Sequence, residues 1–253
     1  MNKFEHVLIT GASSGIGEAL AIYYAKNGAK LLSLCGRNEE RLNKTAEECR
    51  KFGAEVDVKI VDVADKGVVE NWVNEANVKM PLNLVFANAG VATLEETSEN
   101  VRRTFNINVM GVVNTVLPTI EVFKKAPADQ VKHIAITSSI AGYHGMPTCP
   151  SYSATKAGVK AWGEGLRLSL APLGIRVSTI CPGFIRSRIT DKNTCPMPYF
   201  MEADKAAEII AKRIEKNVGL IAFPWQMRLA TWFASILPNR ISDIIYSKLP
   251  YKV

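Results

Sequence analysis

The sequence predicts an α/β fold in which helices cover both faces of a parallel, doubly wound sheet. Over most of the 253 residues, short apolar runs alternate with segments whose apolar residues recur at helical spacing. Strands separated by helices are joined by crossovers, which give parallel pairing. The length fits one domain, and 47% hydrophobic residues are enough for a buried core. We therefore expect residues 1–253 to form a single domain.

Each apolar run ends in a polar or glycine-containing turn, and helical periodicity follows it. The predicted strands lie near residues 6–10, 30–35, 55–61, 82–87, 132–137, 176–181 and 219–223. The predicted helices lie near residues 15–27, 39–52, 66–77, 101–123, 152–171 and 202–217. In such sheets, ligands bind beyond the carboxyl ends of the strands. The residues that follow the strands are therefore expected to share one cleft.

A glycine-rich turn joins the first strand to the first helix, in the segment HVLITGASSGIG (residues 6–17). Gly11 permits a tight turn off the strand, Gly15 lets the backbone approach a diphosphate, and Gly17 lets the helix pack on the sheet. The helix N-terminus offers free N–H groups and the positive end of its dipole to phosphates. Because the glycines follow a strand, open a helix and precede a second strand, they predict a dinucleotide site.

A second motif, within TSSIAGYHGMPTCPSYSATKAG (residues 137–158), contains Ser139, Tyr152 and Lys156. If residues from Tyr152 onward are helical, Lys156 lies one turn away on the same face, and its ammonium favours the phenolate. Ser139 can donate a hydrogen bond to a substrate oxygen beside the phenol. The arrangement suits proton transfer to a carbonyl or from an alcohol. Tyr and Lys one turn apart also occur on many helix surfaces, so this spacing alone does not indicate catalysis. It indicates catalysis here because a dinucleotide site is predicted in the same chain.

With both motifs present, the chain resembles the short-chain dehydrogenase/reductase family over residues 10–187. The matching residues are Thr10, Gly11, Gly15 and Gly17 of T-G-x-x-x-G-x-G, Asp62 and Val63, Asn88, Ala89 and Gly90, Asn108, Ser139, Tyr152, Lys156, Pro182 and Gly183. Ala87 and Ser187 depart mildly, because the family often has Asn and Thr there. The resemblance implies a Rossmann-like, NAD(P)-dependent oxidoreductase with the catalytic tetrad Asn108, Ser139, Tyr152 and Lys156.

The resemblance also implies a role for each residue. Tyr152 transfers the proton, Ser139 orients and polarises the carbonyl oxygen, and Lys156 lowers the tyrosine pKa and bonds the nicotinamide ribose. Asn108 holds a water that links Lys156 to solvent. The residues expected to contact the cofactor are Thr10, Gly11, Ser13, Ser14, Gly15, Ile16, Gly17, Arg37, Asn38, Asp62, Val63, Asn88, Ala89, Gly90, Tyr152, Lys156, Pro182, Gly183, Ile185 and Ser187.

The end of the second strand favours NADP(H) over NAD(H). An NAD site usually carries a carboxylate there, which holds the ribose 2′-hydroxyl. Gly36 stands at that position, and the Arg37 guanidinium can pair with a 2′-phosphate through charge-assisted hydrogen bonds. The alternative is that Arg37 is only a solvated charge near the next helix.

Composition excludes several other classes of function. The net charge is +7, but the basic residues are dispersed among acids, so no nucleic-acid partner is expected. Five cysteines without a C-x-x-C motif argue against disulfides and against a zinc site, and no metal is expected. Cys149 is interpreted as a small apolar wall of the pocket. His6, His133 and His144 are interpreted as bystanders rather than bases, although His144 lies in the loop after Ser139 and could touch substrate. The first strand begins within a few residues of Met1, which leaves no room for a signal peptide and predicts a cytoplasmic location.

The loops expected to bind substrate are mostly apolar and comprise residues 140–150, 184–189 and 190–201. They favour an uncharged, lipophilic carbonyl compound.

We predict an NADP(H)-dependent oxidoreductase that acts on a small carbonyl/alcohol pair, and family resemblance suggests a homodimer or homotetramer through the helices near 101–123 and 152–171. Two alternatives are a non-catalytic dinucleotide-binding scaffold or regulator and an epimerase or dehydratase on the same fold. Binding alone needs no Tyr152 proton donor, and reduction explains the tetrad most simply.

The tail, residues 225–253, is rich in apolar residues but is interrupted at Pro238, so it does not predict a membrane span. Residues 225–237 are expected to form a helix with only a narrow polar stripe. Such a helix needs cover. We expect it to pack on the domain's own core or on a sister subunit. The alternative is a weak peripheral membrane contact, with Trp225, Trp232 and Phe233 inserted.

Overall fold

The computed structural model describes residues 4–93, 95–191, 193 and 196–247. Within these ranges, seven strands form one sheet: β1 (His6–Thr10), β2 (Leu31–Gly36), β3 (Glu55–Ile60), β4 (Leu84–Ala87), β5 (Lys132–Thr137), β6 (Ile175–Pro182) and β7 (Leu220–Phe223). All neighbouring strands pair in parallel, in the order β3-β2-β1-β4-β5-β6-β7. The chain reverses direction across the sheet between β1 and β4. The predicted doubly wound sheet is therefore confirmed.

Helices cover both faces of this sheet. They are α1 (Gly15–Lys26), α2 (Glu39–Arg50), α3 (Lys66–Lys79), α4 (Ser98–Phe105), α5 (Gly111–Lys125), α6 (Pro150–Leu170), α7 (Ala203–Glu215), α8 (Trp225–Ile236) and α9 (Asn239–Ser247). Because strand side chains alternate between faces, Val7 and Ile9 join the core under α1 and α7, whereas Leu8 joins the core under α3 and α5. The predicted boundaries of the sheet strands lie within two residues of these.

The helix predicted near residues 101–123 is longer and is interrupted. It begins at Ser98, and a π-helical turn at Asn106–Met110 separates α4 from α5. A π turn inserts one residue into the helical repeat, and such turns often lie at functional sites. Here the turn contains Asn108, whose side chain is fully buried. Apolar periodicity gives no sign of this insertion, because the residues on both sides remain helical.

The tail forms α8 and α9 on the outside of the domain. Met227 and Thr231, on the inner face of α8, are half-buried. The outer apolar side chains are at least half exposed: Trp225, Leu229, Trp232, Phe233 and Ile236. The domain's own core therefore does not cover this outer face, the predicted helix is present, and cover by a sister subunit stays a prediction. Among the described residues, no helix combines the length and the apolar character that crossing a bilayer requires. Residues 248–253, the last part of the predicted tail, lie outside the described residues.

Candidate active site

The glycine turn after β1 is packed too closely to accept side chains. Gly11 has φ +70°, and a Cβ there would lie 2.8 Å from the Ala89 Cα. Gly15 has φ +59°, and a Cβ there would lie 2.9 Å from the Ser187 Cβ. At Gly17 a Cβ would overlap the Gly11 carbonyl oxygen. The three glycines therefore form a cradle of bare backbone, which is what a diphosphate needs in order to approach the start of α1.

The first turn of α1 keeps its backbone donors available. Ser14 precedes the helix in an extended conformation, and its side chain makes no capping hydrogen bond. By contrast, Asn38, Asp65 and Thr97 accept hydrogen bonds from the first-turn N–H groups of α2, α3 and α4. The first-turn N–H groups of α1, at the positive end of the helix dipole, fit an anionic ligand. The predicted dinucleotide cradle thus has both the space and the donors for a diphosphate.

Three polar side chains tie together the carboxyl ends of β1, β4 and β5. The Thr10 hydroxyl donates to the Phe86 carbonyl and accepts from the backbone N–H groups of Asn88 and Ala89. The Asn88 amide donates to the Thr10 carbonyl at 3.0 Å and accepts from the Thr137 hydroxyl at 3.2 Å. The cofactor cradle is therefore connected, bond by bond, to the strand that leads to Ser139.

The predicted catalytic side chains meet at the end of β5. Ser139 precedes a short 3-10 turn, Ile140–Gly142, and its hydroxyl lies close enough to the Tyr152 phenol to lower the pKa of that group. Tyr152 and Lys156 lie in the first turns of α6, and the Lys156 ammonium nitrogen is 5.7 Å from the centroid of the tyrosine ring. Lys156 also donates to the Thr137 carbonyl at 2.9 Å. These contacts agree with the predicted same-face arrangement and hold the lysine beside the phenol.

Burial dominates the ionisation of both groups. Loss of solvent raises the pKa of Tyr152 to about 12, although the hydrogen bond from Ser139 acts in the opposite direction. Burial lowers the pKa of Lys156 to about 8. The net shift of the tyrosine pKa is thus opposite to the lowering expected from Lys156, because desolvation penalises the phenolate more than its neighbours stabilise it. At neutral pH, Tyr152 is a phenol that can donate a proton.

Asn108 has a structural function in this site. It lies in the π turn, and its side-chain oxygen accepts from the Val91 N–H at 2.8 Å. Its amide donates to the Val91 carbonyl at 2.9 Å and to the Thr155 hydroxyl at 3.2 Å. These bonds fix the chain just after Gly90, where a Cβ would lie 3.3 Å from both the Asn108 oxygen and the Lys156 nitrogen. The predicted water relay through Asn108 stays a prediction.

The end of β2 has little room for an acidic side chain. A Cβ at Gly36 would lie 3.2 Å from the Ser13 side chain. Arg37 is half-exposed, and its guanidinium is 3.7 Å from the carboxylate of Asp62, which is also half-exposed. Such a surface ion pair contributes little and leaves the guanidinium available to another anion. Asn38 caps α2, so its side chain is already bonded, to the Arg41 N–H.

The remaining predicted contacts line the same end of the sheet. Gly183 follows β6, and a Cβ there would lie 2.9 Å from the Met227 sulfur of α8. Val63, after β3, would lie 2.5 Å from a Cβ at Gly111. Ile185 is buried in a bridge to Met201. The structure therefore gathers the predicted residues from six strand ends, together with Asn108, Tyr152 and Lys156 from two adjacent helices.

Gly142 is a closely packed position beside the site that the motifs did not identify. A Cβ at this residue would lie 2.7 Å from the carbonyl carbon of Lys156 and 2.8 Å from its oxygen. The loop after Ser139 therefore contacts the backbone of α6 directly at Lys156. The Ser138 hydroxyl strengthens the contact by donating to the Lys156 carbonyl at 2.7 Å. The sequence did contain an indication of this contact, because Gly142 lies between Ser139 and Tyr152. The catalytic motif does not include that glycine.

Of the remaining candidates, Cys149 and Cys181 lie close enough to the Tyr152 phenol to act on its ionisation, whereas His6 and His133 lie away from it. Cys35, Cys49, Cys149 and Cys181 are free and buried, and Cys195 lies outside the described residues. Burial lowers the pKa of His6 to about 4 and that of His133 to about 3. Both histidines bond serine side chains within the sheet and lie near the amino ends of their strands. They are bystanders to the site, as predicted.

Comparison with known proteins gives consistent matches. Residues 5–196 match the family model described as short chain dehydrogenase. An uncharacterized oxidoreductase of Myxococcus xanthus is 33% identical, over 98% of this chain and 98% of its own. Estradiol 17-beta-dehydrogenase 11 of Rattus norvegicus is 28% identical, over 98% of this chain and 85% of its own. A solved short-chain dehydrogenase from Sphingobium yanoikuyae in complex with NADPH is 26% identical, with a TM-score of 0.80 over 97% of this chain and 96% of that chain. Other matching structures hold NAD or NADH.

Proposed function

Because the chain belongs to the short-chain dehydrogenase family, we propose that it is an NADP(H)-dependent enzyme that interconverts a small lipophilic carbonyl compound and its alcohol. The observation that carries the proposal is the cluster of Ser139, Tyr152 and Lys156 beside the glycine cradle. A protein that only bound a dinucleotide would not need a phenol, a hydroxyl and an ammonium at the same strand end.

The chemistry of these residues follows from their contacts. When bound, a nicotinamide supplies the hydride that reduces a carbonyl carbon. Tyr152, protonated at neutral pH, donates its proton to the carbonyl oxygen. The Ser139 oxygen accepts from the Ala141 N–H at 3.1 Å, so its single hydroxyl proton can turn from the Tyr152 phenol to the substrate carbonyl and polarise it. Lys156 stabilises the phenolate that remains. In the direction of alcohol oxidation, each proton moves the opposite way.

The choice of NADP(H) rests on the end of β2. Gly36 leaves no carboxylate to hold a ribose 2′-hydroxyl, and Arg37 presents a half-exposed guanidinium there. The Sphingobium yanoikuyae structure, which holds NADPH, supports this choice, although other family members hold NAD(H). We infer that Arg37 exchanges its weak contact with Asp62 for a 2′-phosphate.

Arg37→Ala is expected to weaken NADPH binding roughly ten- to a hundredfold, because a charge-assisted hydrogen bond contributes about 1.5–3 kcal/mol. NADH binding should change little, since NADH has no 2′-phosphate. Titration of each cofactor by fluorescence measures both constants. Lys44→Ala removes the same charge from an exposed position on α2 and serves as the control. Equal losses for both cofactors would show that Arg37 supports the fold rather than the 2′-phosphate.

The lipophilic substrate is inferred from the loop that follows β6, where Tyr199 and Phe200 are exposed. The name of the rat relative, an estradiol dehydrogenase, points to the same class of alcohol. A spectrophotometric screen of NADPH oxidation tests the proposal, with neutral aromatic and alicyclic ketones compared against charged keto acids. We expect turnover with the neutral ketones. Preference for the keto acids would contradict the substrate class, and no oxidation with any carbonyl would contradict the reaction.

We also propose that the enzyme is a homodimer or homotetramer. Several large apolar side chains are exposed on the helical segment from α4 to α5 and on and just after α6: Phe105, Met110, Leu117, Leu168 and Leu173. Exposed apolar side chains of this size are suited to a subunit contact where they adjoin one another. This supports the expectation that subunits associate through these helices.

A further inference from the structure

The outer face of α8 is an apolar surface that the proposed reaction does not use. It consists of Trp225, Leu229, Trp232, Phe233 and Ile236, here called the α8 stripe. These residues recur at intervals of three and four, so they lie on one side of the helix. Met227 and Thr231 lie on the opposite side and face the domain. The stripe contains two tryptophans and a phenylalanine, and it contains no charged residue.

A cationic cavity adjoins the stripe where α8 begins. Its volume is about 430 Å³, and the indole of Trp225 forms one wall. Lys212 and Arg213, in the last turn of α7, and Lys216, just after it, line the same cavity together with apolar side chains such as Phe223. Glu208 pairs with Lys212, but among the described residues no carboxylate pairs with Arg213 or Lys216. A concave site with uncompensated positive charge therefore opens beside an exposed aromatic helix.

We propose that the α8 stripe and the cationic cavity bind the surface of an anionic phospholipid bilayer. The helix would lie in the plane of the interface, with its aromatic side chains between the headgroups and the acyl chains. Lys212, Arg213 and Lys216 would contact lipid phosphates at the level of Trp225. The net charge of +7 favours the same surface over a neutral one.

Charge distinguishes this partner from a second copy of the chain. In a two-fold contact, the same patch of both subunits faces one interface. Two cationic cavities would then approach each other, and no acidic patch on α8 would compensate them. An anionic bilayer would bury the apolar α8 stripe and would also provide phosphates that pair with the cations.

The bilayer contact also connects to the active site. Met227 lies on the inner face of the same helix, against Gly183 at the substrate end of β6. A lipophilic substrate dissolved in the bilayer would therefore meet α8 before it reached Tyr152. This connection rests on the proposed function, whereas the membrane contact itself does not.

Co-sedimentation of the full chain with vesicles tests the proposal. Vesicles of phosphatidylcholine alone are compared with vesicles that also contain phosphatidylserine. We expect at least about tenfold stronger binding to the anionic vesicles, weakened by salt. Leu229→Glu and Arg213→Glu should each reduce that binding about tenfold or more. Val78→Glu introduces the same charge at an exposed apolar position on α3 and should bind like the wild type.

Circular dichroism and the sedimentation velocity of each variant show whether fold and oligomeric state are retained. Binding that does not depend on phosphatidylserine, or that survives Leu229→Glu, overturns the proposal. A change in oligomeric mass on Leu229→Glu, without a change in vesicle binding, assigns the stripe to a subunit contact and also overturns it. The Tyr152→Phe variant should bind vesicles as the wild type does. The vesicle assay therefore tests the membrane contact even if the proposed reaction is wrong.

Discussion

Tyr152→Phe is expected to lower kcat for carbonyl reduction by about a thousandfold, within the range of about 10² to 10⁴ that general acid catalysis supplies. The substitution keeps the ring and removes only the hydroxyl, which lies beside Ser139 and is protonated at neutral pH because burial raises its pKa to about 12. NADPH affinity should stay within about twofold, because a fold-change of that size corresponds to well under 1 kcal/mol. Stopped-flow or steady-state oxidation of NADPH measures kcat, and fluorescence titration measures the affinity.

Tyr143→Phe is the matched control for this experiment. Tyr143 ends the 3-10 turn beside the site, and burial raises its pKa to about 12 as well. A perturbed pKa therefore does not distinguish the two tyrosines, whereas the contacts of Tyr152 with Ser139 and Lys156 do. We expect Tyr143→Phe to keep kcat within a small factor of the wild type. If Tyr152→Phe retained more than about a tenth of kcat, a barrier change below about 1.4 kcal/mol, the acid role of Tyr152 would be wrong.

Gly142→Ala is expected to reduce kcat about ten- to a hundredfold with little change in NADPH affinity. The new methyl group would lie 2.7 Å from the Lys156 carbonyl carbon, and backbone cannot rotate away as a side chain can. The loop and the first turns of α6 must therefore separate, which displaces Ser139 from Tyr152. Misplacement of catalytic groups by about 1 Å costs on the order of a hundredfold in rate. The free energy of unfolding should fall by about 1–3 kcal/mol, as in other overpacked sites.

Gly145→Ala separates this effect from a general intolerance of the loop. Gly145 lies three residues further along, and nothing lies within 4 Å of a Cβ there. It should leave both kcat and the free energy of unfolding near the wild-type values. Denaturant unfolding and steady-state kinetics on both variants make the comparison. Equal kcat values for Gly142→Ala and Gly145→Ala would show that the contact with Lys156 does not position the lysine.

The sequence was sufficient for the sheet and for the positions of the motifs. Strand and helix periods are local, so the seven strands and the glycine turn could be located from residue spacing alone. The π turn at Asn108 could not, because a one-residue insertion leaves the apolar pattern helical. The direction of the Tyr152 pKa shift could not be predicted either, since it depends on how much solvent the folded neighbours remove.

The tail illustrates a different limit. Its composition predicts a helix whose apolar face must be buried, but composition does not specify which element buries it. Only the packed structure shows that Met227 faces the domain and Trp232 faces outward. Gly142 is similar, because its importance arises from an approach to Lys156 that is distant in sequence. Contacts between remote segments are what single-sequence patterns omit.

Asn88 links the cofactor half of the protein to the catalytic half through one side-chain amide. Its nitrogen donates toward β1 and its oxygen accepts from β5, where the Thr137 carbonyl in turn receives the Lys156 ammonium. The side chain at this position must therefore place a donor toward β1 and an acceptor toward β5. Aspartate would offer acceptors on both sides, and leucine, of similar shape, would offer neither a donor nor an acceptor. The backbone pairing of β4 with β1 and with β5 joins the two halves of the sheet, and the Asn88 amide adds a directional link at their carboxyl ends, next to the strand whose last carbonyl holds Lys156.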